Sequence, residues 1–162
     1  MKKLLPFAGF CATVLGIIAL ILLLATPSIT YSLPVLGTQS ISGVNGLFGG
    51  GDAEYKAAAG AIIAFVLLIV GIVLACAASL LPMLKKLVNL AGWFGLIGCV
   101  CLIVAGILFF CEVPMFIHAQ SQNASTDGYS LGGGWVVAGI LAIVGGAVAL
   151  LPSLFAFLAK KK

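Results

Sequence analysis

The sequence predicts an all-α transmembrane four-helix bundle carrying a small antiparallel β-sheet formed by its outer loops. Three observations lead there. First, Leu4–Ala25, Ala57–Leu81, Leu87–Cys111 and Trp135–Leu158 contain no Asp, Glu, Lys, Arg or His. As helices each reaches roughly 33 Å or more, against a hydrocarbon core of about 30 Å. Second, Lys2, Lys3, Lys85, Lys86, Lys160, Lys161 and Lys162 fall before the first of these stretches, between the second and third, or after the fourth. Third, Ile29–Val35 alternates apolar and polar residues, the period of a half-buried strand.

The chain opens with Met1–Phe7, MKKLLPF, and the apolar run that follows is longer than the 7–15 residues of a signal sequence, so it reads as a retained first span. Small residues recur every four positions at Ala8, Ala12 and Gly16, and in the fourth span at Gly134, Ala138, Ala142 and Gly146. Gly71 with Ala75, and Ala91 with Gly95, offer similar surfaces on the middle spans. Lipid supplies little hydrophobic drive between helices, so close van der Waals contact along these stripes should hold the bundle, and they are expected to face its interior. Lys2–Phe10 (KKLLPFAGF) and Lys85–Trp93 (KKLVNLAGW) are alike, and the second and fourth spans both end Leu-Leu-Pro. This reads as a parallel repeat of two spans.

Lysine near span ends is retained on the cytoplasmic side. Both termini and the inner link 82–86 are therefore expected in the cytoplasm, with loops 26–56 and 112–134 outside, in a plasma or cytoplasmic membrane. The whole of 1–162 then forms one integral membrane domain, because 63% hydrophobic and 7% charged residues leave no room for a soluble one. The net charge of +4 sits where anionic headgroups would hold it, which argues against nucleic acid as a partner.

In the first outer loop, Gln39–Val44 is followed by Asn45-Gly46 and then Leu47-Phe48, which predicts a hairpin turn. Pro34 restricts its strand to an edge or a bulge. The second loop, Glu112–Gly134, offers Pro114, Met115, Phe116 and Ile117 before a polar run, and is expected to add one strand. Asn123-Ala124-Ser125 matches a glycosylation acceptor. The five cysteines, Cys11, Cys76, Cys99, Cys101 and Cys111, lie in the spans, where thiols act as small hydrophobes. His118 is the only histidine and joins no constellation of nucleophile, base or metal ligands. No catalytic residue, metal or cofactor is expected.

Taken in order, these features resemble the claudin and peripheral-myelin-protein superfamily of tetraspan membrane proteins. Tyr31 and Gly46-Leu47-Phe48 stand where that family has an early Trp and Gly-Leu-Trp. Lys56-Ala57-Ala58-Ala59 is similar to its entry into the second span, and Gly134-Trp135 with Gly145-Gly146 to its fourth. The family's loop cysteine pair has no counterpart here. The resemblance implies a claudin-like fold and a structural or adhesive role.

Ionisable groups are absent from the spans, which argues against a pump or single-subunit transporter. The expected function is therefore non-enzymatic: lateral assembly with outer-loop contacts, the partner being the bilayer together with another copy or another membrane protein. Tyr31, Gly46, Leu47, Phe48, Met115, Phe116 and Ile117 are the candidate contacts. Two alternatives stand beside it. One is an oligomeric pore whose acidic mouth is Asp52, Glu54 and Asp127. The other is an auxiliary subunit held to a larger membrane complex through one small-residue stripe.

Overall fold

The structure, a computed structural model, describes residues 5–33, 37–50, 55–81, 88–121 and 126–159. Four helices dominate it: α1 (Leu5–Ala25), α3 (Ala59–Leu80), α4 (Val88–Phe110) and α6 (Gly133–Ala159), each long and apolar enough to cross a membrane. Between α1 and α3 come β1 (Pro27–Leu33), β2 (Gly37–Ser42) and the short helix α2 (Gly43–Phe48). Between α4 and α6 come α5 (Glu112–Gln120) and β3 (Tyr129–Leu131). The chain is an integral membrane protein in which both of these connections build one cap at the same end of the bundle.

Around the bundle the helices follow the order α1, α3, α4, α6, each packing on its two neighbours, with the α4–α6 contact the most extensive. Small residues set these contacts. A Cβ on Gly106 of α4 would stand 2.7 Å from the Gly139 carbonyl oxygen of α6, so the two backbones touch there. Gly145 and Gly146, adjacent on α6, serve different neighbours: Gly145 lies on Ala12 and Leu15 of α1, and Gly146 on Cys99 and Ile103 of α4. Gly16 lies on Ile72 and Gly71 on Leu102. Ala12, Ala75, Ala138 and Ala142 are buried, and Ala8 is half-buried at its end of the stripe. Outward faces carry large side chains instead, among them Phe10, Ile21, Ile63, Val73 and Ile107.

Polar side chains in the long helices are quenched locally. Thr13 donates to the Gly9 carbonyl at 3.0 Å, Ser79 to Cys76 at 2.7 Å and Ser153 to Ala149 at 3.2 Å. Each hydroxyl so returns to its own helix and asks nothing of lipid.

The cap contains the expected antiparallel sheet, in the order β2-β1-β3. β1 and β2 pair from Leu33↔Gly37 to Pro27↔Ser42, on either side of 34–36, so Pro34 lies outside the described residues. β3 adds the strand expected of the second loop, pairing Tyr31↔Tyr129.

One expectation needs correction. Asn45-Gly46 makes no hairpin but sits inside α2, because Ser42 caps that helix by accepting the Asn45 N–H, and Gly49 (φ 74°) ends it. The glycine at 46 is there for space: a Cβ would run into Ser28. Pro114 to Ile117, at the start of the second loop, lie in α5. Pro114 stands in the first turn, where its missing N–H has no partner to lose. Val113, Phe116, Ile117 and Gln120 recur at helical spacing, and Phe116 and Ile117 enter the core.

Candidate functional site in the cap

The cap has its own apolar centre: Ile29 of β1, Ile41 of β2, Leu47 of α2, and Phe116 and Ile117 of α5, continuous with Leu23, Phe109 and Trp135 below. Trp135 fastens cap to bundle. Fully buried, it donates from Nε1 to the Leu23 carbonyl at 2.9 Å and meets the Phe109 ring edge-on at 5.6 Å. It thus ties the start of α6 to the end of α1 and to α4. Gly134 beside it leaves room for Thr26.

This centre takes in most of the candidate contact set. Burying a side chain of that size contributes about 1.5–3 kcal/mol relative to water, and the cap takes that gain internally. Leu47, Phe116 and Ile117 are buried, Gly46 lies against Ser28, and half-buried Met115 lies on Gly60 of α3. Only Phe48 of the set is strongly exposed, at 50%, and its ring leans edge-on against Phe65 of α3 at 5.5 Å. Asp127 is exposed on the turn before β3. Asp52, Glu54 and Asn123 lie outside the described residues.

Tyr31 is half-buried in the wall of a cavity of about 210 Å³, shared with Ile41, Tyr55, Phe116, Ile117, Gln120 and Tyr129. The Tyr31 and Tyr129 ring centroids are 5.4 Å apart. A hydrogen bond between the Tyr31 and Tyr55 hydroxyls holds the Tyr55 proton and, with burial, raises its pKa above the usual phenol value. Gln120 closes one side by gripping the Lys56 backbone twice: its Oε1 accepts the Lys56 N–H at 3.0 Å and its Nε2 donates to the Lys56 carbonyl at 2.9 Å.

Glu112 is the other feature of the cap that its position in sequence did not single out. It opens α5 with its side chain fully buried, and among the described residues neither carboxyl oxygen has a hydrogen-bond partner. Oε1 lies 3.7 Å from where a Cβ on Gly46 would stand, on the side where Ser28 is buried. The Ser28 hydroxyl is turned elsewhere, donating to the Ile41 and Ser42 carbonyls at 3.3 and 3.4 Å. Desolvation pushes the Glu112 pKa up to about 8, so the group is neutral at pH 7.

Among the described residues no three His, Cys, Asp or Glu side chains gather as metal ligands. Comparison with protein-family models, with curated proteins and with solved structures returns no match.

Proposed function

We propose that this is a non-enzymatic tetraspan membrane protein of claudin-like fold, with cytoplasmic termini, that works by assembly through its cap. The observation that carries the reading is the outer strand of the sheet. Among the described residues β2 pairs with β1 on one side only, and Gly37, Thr38 and Ser40 are exposed. Its six residues include no charge and no proline, the usual devices that blunt a free edge. An edge left in this state recruits another strand.

The bundle supports the same conclusion by exclusion. The small-residue stripes are occupied by neighbouring helices, so the surfaces that would bring another membrane helix close are already used. A second copy is the natural partner, because Thr38 and Ser40 present hydroxyls that can pair with those of another copy across an antiparallel two-fold junction.

The test is native mass spectrometry from a mild detergent, comparing the wild type with Thr38→Lys/Ser40→Lys. The reading requires an oligomer in the first that dissociates in the second while the monomer keeps its thermal midpoint. A wild type that is monomeric at every concentration, or an oligomer indifferent to the two charges, refutes it.

A further inference from the structure

The chain has three tyrosines, and all three meet at one cavity. Tyr31 and Tyr129 arrive as register partners across β1 and β3, and Tyr55 arrives from the approach to α3. The Tyr55 ring lies 5.6 Å from that of Phe116, which is buried and floors the space. Four aromatic rings therefore surround about 210 Å³ as two contacting pairs, joined by the Tyr31–Tyr55 hydrogen bond.

The lining narrows the chemistry of a guest. Among the described residues it contains no charged side chain, so an anion finds no counter-charge. Gln120 already spends its amide on the Lys56 backbone, which leaves few polar groups for a sugar or a peptide. A primary ammonium is strongly hydrated and needs acceptors aimed at it to replace that water. A tetraalkylammonium is bulky and weakly hydrated, and aromatic faces satisfy it through their quadrupoles. The volume is below the roughly 300–1,000 Å³ of a pocket for drug-sized ligands, so it suits a head and not a whole molecule. Tyr55 and Phe116 lie within a few residues of the cap ends of α3 and α4, which puts the cavity beside the end of the bundle, toward the headgroup level of a bilayer those helices span.

We propose that the cavity walled by Tyr31, Tyr55 and Tyr129 binds a quaternary ammonium group. The source is either a choline phospholipid head or a free choline-like solute. For a phospholipid, exposed Lys56, next to Tyr55, supplies the charge that meets the phosphate. The inference does not rest on assembly through β2, and either stands if the other fails.

The test is ligand-observed NMR with the full chain in a maltoside detergent, titrating tetramethylammonium, choline, methylammonium and the neutral choline analogue that carries tert-butyl in place of trimethylammonium. Tetramethylammonium and choline should saturate, with the neutral analogue and methylammonium about tenfold weaker. Tyr129→Ala should weaken binding about tenfold and Tyr129→Phe less than about twofold, because the ring face and not the hydroxyl carries the contact. Tyr55→Leu provides a second ring deletion should Tyr129→Ala not fold. Lipid nanodiscs containing phosphatidylcholine or phosphatidylethanolamine then separate the sources. Choline lipid retained by the wild type, and lost in both Tyr129→Ala and Lys56→Gln, assigns the headgroup. Saturation by free choline that Lys56→Gln leaves intact, without lipid retention, assigns a solute. Equal binding of the neutral analogue, or no saturation by any cation, overturns the proposal.

Discussion

The α4–α6 seam and the cap above it are built from opposite materials. At the seam Gly106 and Gly139 bring two backbones together, and the hydroxyls of the long helices are returned to their own carbonyls. In the cap, aromatic rings and strand hydroxyls do the packing, and among the described residues a carboxyl group, a tyrosine-walled cavity and an outer strand paired on one side are left over. Lipid gives a helix little reason to associate except fit, so the bundle spends its small residues on fit and keeps nothing in reserve. Where the chain leaves the long helices, water-driven burial supplies the stability and polar groups remain available for recognition.

Four changes break or sharpen that contrast, and they are ordered by expected effect on stability. Gly106→Leu pushes a side chain into the Gly139 carbonyl and should prevent the bundle from forming, or cost upwards of 4 kcal/mol, read as loss of the folded peak in mild-detergent sizing. Its control is Gly133→Ala, which meets nothing within 4 Å and should be silent.

Glu112→Gln addresses the surplus carboxyl. In the fold the group holds its proton up to about pH 8, whereas in the unfolded chain it ionises near its ordinary 4.5. The unfolded state thus gains charge first as pH rises. The wild type should be most stable below pH 4.5, lose stability between 4.5 and about 8, and level off above that. At about 1.4 kcal/mol per pH unit the loss amounts to a few kcal/mol. Thermal midpoints across this window should fall for the wild type and be nearly flat for Glu112→Gln; equal slopes would show that Glu112 is not the buried acid responsible.

Trp135→Phe keeps most of the ring but leaves the Leu23 carbonyl without its donor, at about 1–3 kcal/mol. Hydrogen exchange should then rise at the cap end of α1 and α6. The smallest effect belongs to Thr38→Lys/Ser40→Lys, both on exposed edge positions, which should change monomer stability by less than about 0.5 kcal/mol.

Much of the fold was legible because lipid imposes a simple code. Uncharged runs of spanning length gave the four long helices, and alternation around Ile29–Val35 gave a strand that the structure places at Pro27–Leu33. Asn45-Gly46 misled because its hairpin signal needs a strand on both sides, and Ser42 caps a helix there instead. The helical spacing of Val113, Phe116, Ile117 and Gln120 was present in the sequence, but Pro114 and the polar residues around it obscured it. Nothing local marks Glu112 as buried, since its environment is made by Gly46 and Ser28 from the other connection. Tyr31, Tyr55 and Tyr129 are far apart in sequence and meet only through the β1–β3 register and the Gln120 clamp on Lys56.

The working edge we propose is β2. Hydrogen–deuterium exchange, compared between dilute monomer and concentrated protein in the same detergent, isolates it. Amides of Gly37–Ser42 should gain protection on concentration while those of α1, α3, α4 and α6 stay unchanged. Protection appearing along the long helices instead, or at no segment of the cap, would contradict the claim that this protein acts through its sheet.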